Sequence, residues 1–253
     1  MGTTDCIFTD EHGNGIESET RNKKGMELAY PGNYELKEPE EQIRIIAELF
    51  NLNPTHAMNF IKTLPPIGYG YPEGYFAFPK VSAVSKRYFP KISDRAKQYC
   101  EVIKLACSIL HKSRGLDNNL LASITPEKLR TTERTTTFMK ILEDQQPGDI
   151  LIIKAQHGKI YRDEPIERVR DMYASNEFGL GIFHVICMAL VHPWRYCKLA
   201  GIGSDCPGDE ITPINGKGFV VAAMLFYFVE KMGLFGRPIH SHGDTGSVTG
   251  FLF

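Results

Sequence analysis

Between Phe178 and Val191 only Gly179, Gly181 and His184 are not plainly apolar. A helix built from such a run is greasy on every side and has to be enclosed by protein. It falls short of the roughly 20 apolar residues that cross a bilayer, so no membrane span is expected and the rest of the chain must wrap it. With 253 residues the chain is long enough to do so without a metal or a disulfide. Burying about ten such side chains contributes roughly 15 to 30 kcal/mol before chain entropy is subtracted, an upper bound. Asn176 reads as the cap of this helix, which is predicted over Glu177 to His192 and closed by Pro193.

Around that centre the first half reads as helical. Pro39 to Phe50 opens on a proline and acids and repeats Ile43, Ile46, Leu49 and Phe50 on one face. A short helix follows over Pro54 to Ile61. Thr63 to Pro79 holds four prolines among aromatic residues and reads as an ordered loop. Ser93 to Lys112 carries the clearest amphipathic stripe, with Gly115 just past its end. Thr125-Pro126-Glu127 has the composition of a helix start, reaching roughly to Glu143. Asp149 to Ala155 reads as a buried strand, turning at Gln156-His157-Gly158 into a hairpin with Lys159 to Arg162. Pro165 opens another helix. Phe219 to Val229 reads as one arm of a hairpin continuing at Leu234 and Phe235, with a buried helix as the alternative. The expectation is an α+β fold: a helical N-terminal half, a central buried helix, and antiparallel strands and hairpins in the C-terminal half. Residues 1–35 are polar and read as a flexible tail or a loosely docked arm, and residues 36–253 as a single domain.

A formal net charge of −1 and a pI near 6.7 leave no global field for nucleic acid. Lys80, Lys86, Arg87, Lys91, Arg95 and Lys97 form a local basic cluster, read as a solvated face with a phosphate site as the alternative. The N-terminus lacks a basic region followed by an apolar core, so a cytoplasmic protein is expected. The six cysteines have no paired close spacing and read as reduced thiols.

Three groups of residues carry candidate chemistry. Asp205-Cys206-Pro207-Gly208-Asp209-Glu210 sets a thiol in a turn among acids. Cys206 with His192, Asp209 and Glu210 is a candidate catalytic or zinc-binding set, because zinc accepts sulfur, nitrogen and oxygen ligands. The same acids raise the pKa of a thiol, which counts against a nucleophile. His240-Ser241-His242-Gly243-Asp244 is the second group: alternate residues of an extended segment point the same way, so His240, His242 and Asp244 are candidate ligands for a divalent metal such as zinc. This resembles the His-x-His-x-Asp of metallo-hydrolases, except that Thr245 stands where a further histidine follows. His184 is the third, read as a neutral core histidine hydrogen-bonded to a neighbour.

Cys100, followed by Pro147-Gly148-Asp149-Ile150-Leu151 and His157, resembles the order of parts in NlpC/P60 cell-wall peptidases. The family's Asp-Cys-Ser-Gly is absent, and Cys100 lies about two turns inside its predicted helix, out of reach of the helix dipole. It reads as a packed structural cysteine. A wider set of elements resembles a group of bacterial proteins with no known activity: Asn176-Glu177-Phe178-Gly179-Leu180-Gly181, His192-Pro193-x-Arg195, Asp205-Cys206-x-Gly208-Asp209-Glu210, and Gly246-Ser247-x-x-Gly250-Phe251-Leu252. That resemblance covers roughly Glu40 onward and implies a shared fold without assigning a site. No constellation meets the demands of a reaction class, so the functional expectation is a non-catalytic binding or assembly protein, self-association included. A metal- or thiol-dependent hydrolase is the alternative.

Overall fold

The computed structural model describes residues 8–9, 15–16, 34–67, 72–196, 202–213, 216–228, 231–243 and 245–253. Its fold is α+β. Before residue 34 it describes only a small antiparallel ladder, β1 (Phe8–Thr9) with β2 (Gly15–Ile16); the rest of the predicted tail lies outside the described residues.

Helix α1 (Pro39–Phe50) has the predicted bounds, with proline in its first turn followed by Glu40 and Glu41. Asn51 ends it in the left-handed conformation, φ 49°. Helix α2 (Thr55–Phe60) follows. The aromatic, proline-rich segment then departs from its predicted loop: Gly74–Pro79 is a strand, β3, buried at every position. Helix α3 (Val81–Tyr88) leads to α4 (Arg95–Arg114), which is capped by Asp94 accepting from Lys97 N at 2.7 Å and ended by Gly115 at φ 71°.

Short strands β4 (Leu116–Asn118) and β5 (Leu129–Thr131) precede α5 (Glu133–Gln145). The predicted start at Thr125-Pro126 is therefore too early. Leu129 to Thr131 pair with a strand near residue 210, and the cap is Thr132, accepting from Thr135 N. Lys80, assigned to a solvated face, is buried. It donates to Glu143 O at 3.1 Å and to Gln146 O, placing a cation on the orphan carbonyls at the α5 C-terminus.

Strand β6 (Ile150–Gln156) pairs with β3, and no hairpin returns through residues 159–162; Arg162 instead bridges to Gly246. After α6 (Ile166–Met172) comes β7 (Glu177–Gly179), so the apolar run starts as a strand and only then enters α7 (Ile182–Val191). The remaining strands are β8 (Gly203–Asp205), β9 (Asp209–Ile211), β10 (Val221–Phe228), β11 (Lys231–Pro238), β12 (Thr245–Ser247) and β13 (Thr249–Phe251). β10 and β11 form the expected hairpin, in register from Val221↔Pro238 to Phe228↔Lys231.

One sheet has the order β3-β6-β13-β7 and is antiparallel throughout. The larger runs β12-β8-β10-β11-β4, with β9 on β10 and β5 on β9. It is mixed, since β11–β4 and β12–β8 are parallel. Val248 is the joint at which the chain passes from one sheet to the other; its N–H donates to Asp205 O, and its carbonyl accepts from Leu180 N at 3.0 Å. Helix α7 contacts β3 of one sheet and β10 of the other and packs on α1 and α4. Every α7 residue except Leu190 is buried, as the sequence requires of so apolar a helix. Among the described residues no helix is long and apolar enough to cross a membrane.

Candidate functional site

The two ends of the Glu177–Glu210 stretch meet. A Cβ on Gly208 would lie 2.5 Å from Gly179 O, and one on Gly181 would lie 2.5 Å from Asp209 Oδ2, so both crossings need glycine for close approach. Gly208 N donates to Leu180 O at 3.1 Å. Asp209 then reaches the start of α7: its Oδ2 accepts from Ile182 N at 2.7 Å and from Tyr99 OH at 2.7 Å, and its Oδ1 accepts from Thr131 Oγ1 at 3.0 Å. A carboxylate supplied from a distant strand thus caps the central helix, whose own Gly181 has no side chain to do so. Burial pushes the Asp209 carboxyl up to about 6, against the pull of those hydrogen bonds.

Cys206 is fully buried at the centre of this turn. Burial, then the Asp209 and Asp205 charges, push its thiol well above the ordinary range, so it stays protonated at neutral pH. Glu210 is held by two cations, Arg130 at 2.6 Å and Arg170 at 2.6 Å, and Arg170 also donates to Pro207 O. Cys100 is likewise buried, its thiol pushed up to about 11, again first by burial.

His192 is not joined to Cys206. It lies buried among rings, with centroids 5.5 Å from Phe76, 5.8 Å from His157 and 5.9 Å from Tyr34, and among the described residues neither of its nitrogens has a hydrogen-bond partner. Burial, followed by the charge of Lys37, pulls it down to about 3. The neighbouring His157 was no sequence candidate beyond its place in the peptidase-like order. Its Nδ1 lies 3.1 Å from Tyr34 OH and 3.9 Å from Glu73 Oε2, and its carbonyl accepts from the buried Arg195. Tyr34, assigned to the tail, is therefore docked on the domain.

His184 is also buried, but neither nitrogen has the hydrogen-bond partner expected of it; its ring packs on Phe78 at 5.3 Å. His240 and His242 are exposed. His242 Nδ1 lies 3.0 Å from Asp163 O, and Asp244 lies outside the described residues. Among the described residues no three His, Cys, Asp or Glu side chains are grouped to hold a metal ion. The adjoining charge pair is inside: buried Asp205 accepts from Arg237 at 2.6 Å and from Thr245 Oγ1 at 2.7 Å. Burial nevertheless raises Asp205 to about 6.

A surface concavity lies away from this turn. A cleft of about 630 Å³ is lined by Asn51, Leu52, Asn53, Ala83, Lys86, Arg87 and Asp149. Asn51 to Asn53 form the turn between α1 and α2, Ala83 to Arg87 come from α3, and Asp149 precedes β6. Asp149 Oδ2 accepts from Asn53 N at 3.0 Å, and Asn53 Oδ1 accepts from Thr55 N at 2.9 Å, which fixes the turn. Only Lys86, Arg87 and Asp149 were visible beforehand, the cations as part of a basic cluster and the acid as a strand start. The cleft itself had no local signal, because its lining comes from three separate stretches of the chain, at residues 51–53, 83–87 and 149. Comparison with family models, with curated proteins and with solved structures finds no match to this chain.

Proposed function

We propose that the protein is a non-catalytic binding protein whose ligand occupies the cleft between the α1–α2 turn and α3. One observation carries the reading: the Cys206 turn is sealed into the frame, while the cleft beside α3, open to solvent, is lined by no thiol or histidine. Cys206 is fully buried and Asp209 is spent on capping α7, whereas Lys86 and Arg87 stand exposed in the cleft. Its volume falls within the range of about 300 to 1,000 Å³ common for small-molecule sites. Assembly has less support. Among the described residues the exposed large apolar side chains are Tyr88, Leu121, Met172, Trp194, Val220 and Phe253, and exposed apolar residues are ordinary on a monomer's surface. A reducing cytoplasm suits the four described cysteines, all free and buried.

Native-state alkylation, mapped by mass spectrometry, tests the reading against a thiol hydrolase. Cys206 is expected to stay unmodified until the protein unfolds. Modification faster than that of free cysteine near neutral pH would put the hydrolase first, as would a stoichiometric metal whose removal abolishes hydrolysis.

A further inference from the structure

The lining of the cleft has a polarity that specifies a ligand more closely than its volume does. Ala83, Lys86 and Arg87 are spaced i, i+3 and i+4 on α3 and share one face, with the short Ala83 leaving the floor open beneath the two cations. Among the described residues neither cationic side chain has an ion-pair or hydrogen-bond partner, although Asp149 lines the same cleft. The Asp149 side chain is bonded to the α1–α2 turn, its Oδ2 taken by Asn53 N and its Oδ1 left to accept. Asn53 is committed through its carbonyl oxygen to Thr55 N, so its amide NH₂ remains to donate. One wall therefore offers a guanidinium fork and an ammonium, the other an acceptor and an amide donor.

An inorganic anion would use only the first wall, and a neutral polyol only the second. We propose that the cleft binds a small phosphorylated polyol, with its phosphoryl group on Lys86 and Arg87 and a hydroxyl donating to Asp149. Arg and Lys together suit a phosphoryl group, the one by a two-point fork and the other as a point charge. This inference rests on the binding reading above and adds the ligand class to it.

Calorimetry on the full chain at low salt provides the test, with ribose 5-phosphate, inorganic phosphate, ribose and succinate as probes. Ribose 5-phosphate is expected to saturate at one site and to bind at least tenfold more tightly than inorganic phosphate or succinate. The double variant Lys86→Gln/Arg87→Gln should lose at least tenfold for both phosphates. Asp149→Asn should weaken ribose 5-phosphate alone. Because Asp149 also braces the Asn53 turn, its thermal melt is recorded alongside. Should that variant melt early, a set of singly deoxygenated sugar phosphates titrated into the wild type takes its place, and at least one is expected to bind more weakly than ribose 5-phosphate. Succinate binding as tightly as the sugar phosphate would overturn the phosphate assignment. Binding untouched by the double variant, or no saturation by any probe, would overturn the site. Either result with an unreactive Cys206 leaves the binding reading standing, whereas a reactive Cys206 defeats that reading on its own.

Discussion

Asp209 ties the start of α7 to Tyr99 of α4 and Thr131 of β5, and removing it gives a result that can be worked out in advance. Asp209→Ala strands the Ile182 amide at the α7 N-terminus and the hydroxyls of Tyr99 and Thr131. Loss of a helix cap costs about 1 kcal/mol, and a buried donor left without an acceptor costs about 1 to 3 kcal/mol. Since hydroxyls can rotate toward other partners, the lost bonds sum to about 3 to 5 kcal/mol, from which the relief of a disfavoured buried charge is subtracted in either variant. Asp209→Asn should behave differently. Its oxygen can still accept from Ile182 and Tyr99, and its NH₂ can donate to Thr131. It also removes a charge that burial disfavours: a carboxyl raised to about 6 is held roughly two pKa units above its ordinary value, equivalent to about 3 kcal/mol at neutral pH. The asparagine variant is therefore expected within about 1 kcal/mol of the parent at pH 7. Urea unfolding followed by circular dichroism, with slopes compared among the three proteins, measures both. Equal losses for the two variants would refute the capping argument.

Acid should destabilise the protein in a graded way. His157, His184 and His192 are held below the ordinary histidine value, first by burial. The stability each contributes is present above about pH 6.5 and is lost as pH falls toward the folded value. Asp205 and Asp209, raised to about 6, act in the opposite sense, gaining stability as pH falls from about 6 to about 3.9. Near pH 5 proton uptake by the histidines and release by the two aspartates oppose one another on unfolding, so Asp209→Asn, which removes one release, should steepen the loss of stability with falling pH by about 1 kcal/mol per pH unit. Unfolding curves at closely spaced pH values read this directly, and equal slopes for the parent and Asp209→Asn would contradict it. His184→Leu replaces an imidazole with two unpartnered nitrogens by a side chain suited to its apolar surroundings, so thermal unfolding at pH 7 should show stability unchanged or raised by about 1 kcal/mol; a loss above about 2 kcal/mol would mean that the ring has a partner. Lys80→Met should cost about 2 to 3 kcal/mol in urea by leaving two helix-end carbonyls without a donor, with hydrogen exchange rising in the last turn of α5; unchanged exchange there would count against the cap.

What could be read in advance was what local physics decides. Helix α1 has its predicted ends because a proline, two acids and a four-residue apolar repeat all act within twelve residues. The β10–β11 hairpin came through for the same reason. Strand β3 did not, because burial on both faces removes the alternation by which a strand is recognised and leaves only its prolines and aromatics on view. Asn176 looked like the cap of the apolar helix, yet β13 pairs with Glu177 to Gly179 and holds them extended, moving the helix start to Ile182. That pairing joins residues about seventy positions apart, and the cap that replaces Asn176 comes from Asp209, with Tyr99 as a further partner 110 positions from it. The same distance explains the misreading of the Cys206 turn. A buried thiol, close glycine crossings and a carboxyl with a raised pKa are also features of catalytic sites, and one-dimensional spacing cannot tell whether their bonding capacity is used up. Here it is: the Asp209 oxygens both accept from the frame, and Glu210 is divided between two arginines. Lys86 and Arg87 read as ordinary surface charge, but among the described residues the fold leaves their bonding capacity unspent at a concave surface. A ligand that uses that capacity would bind at the cleft and not at the most chemical-looking stretch of the sequence.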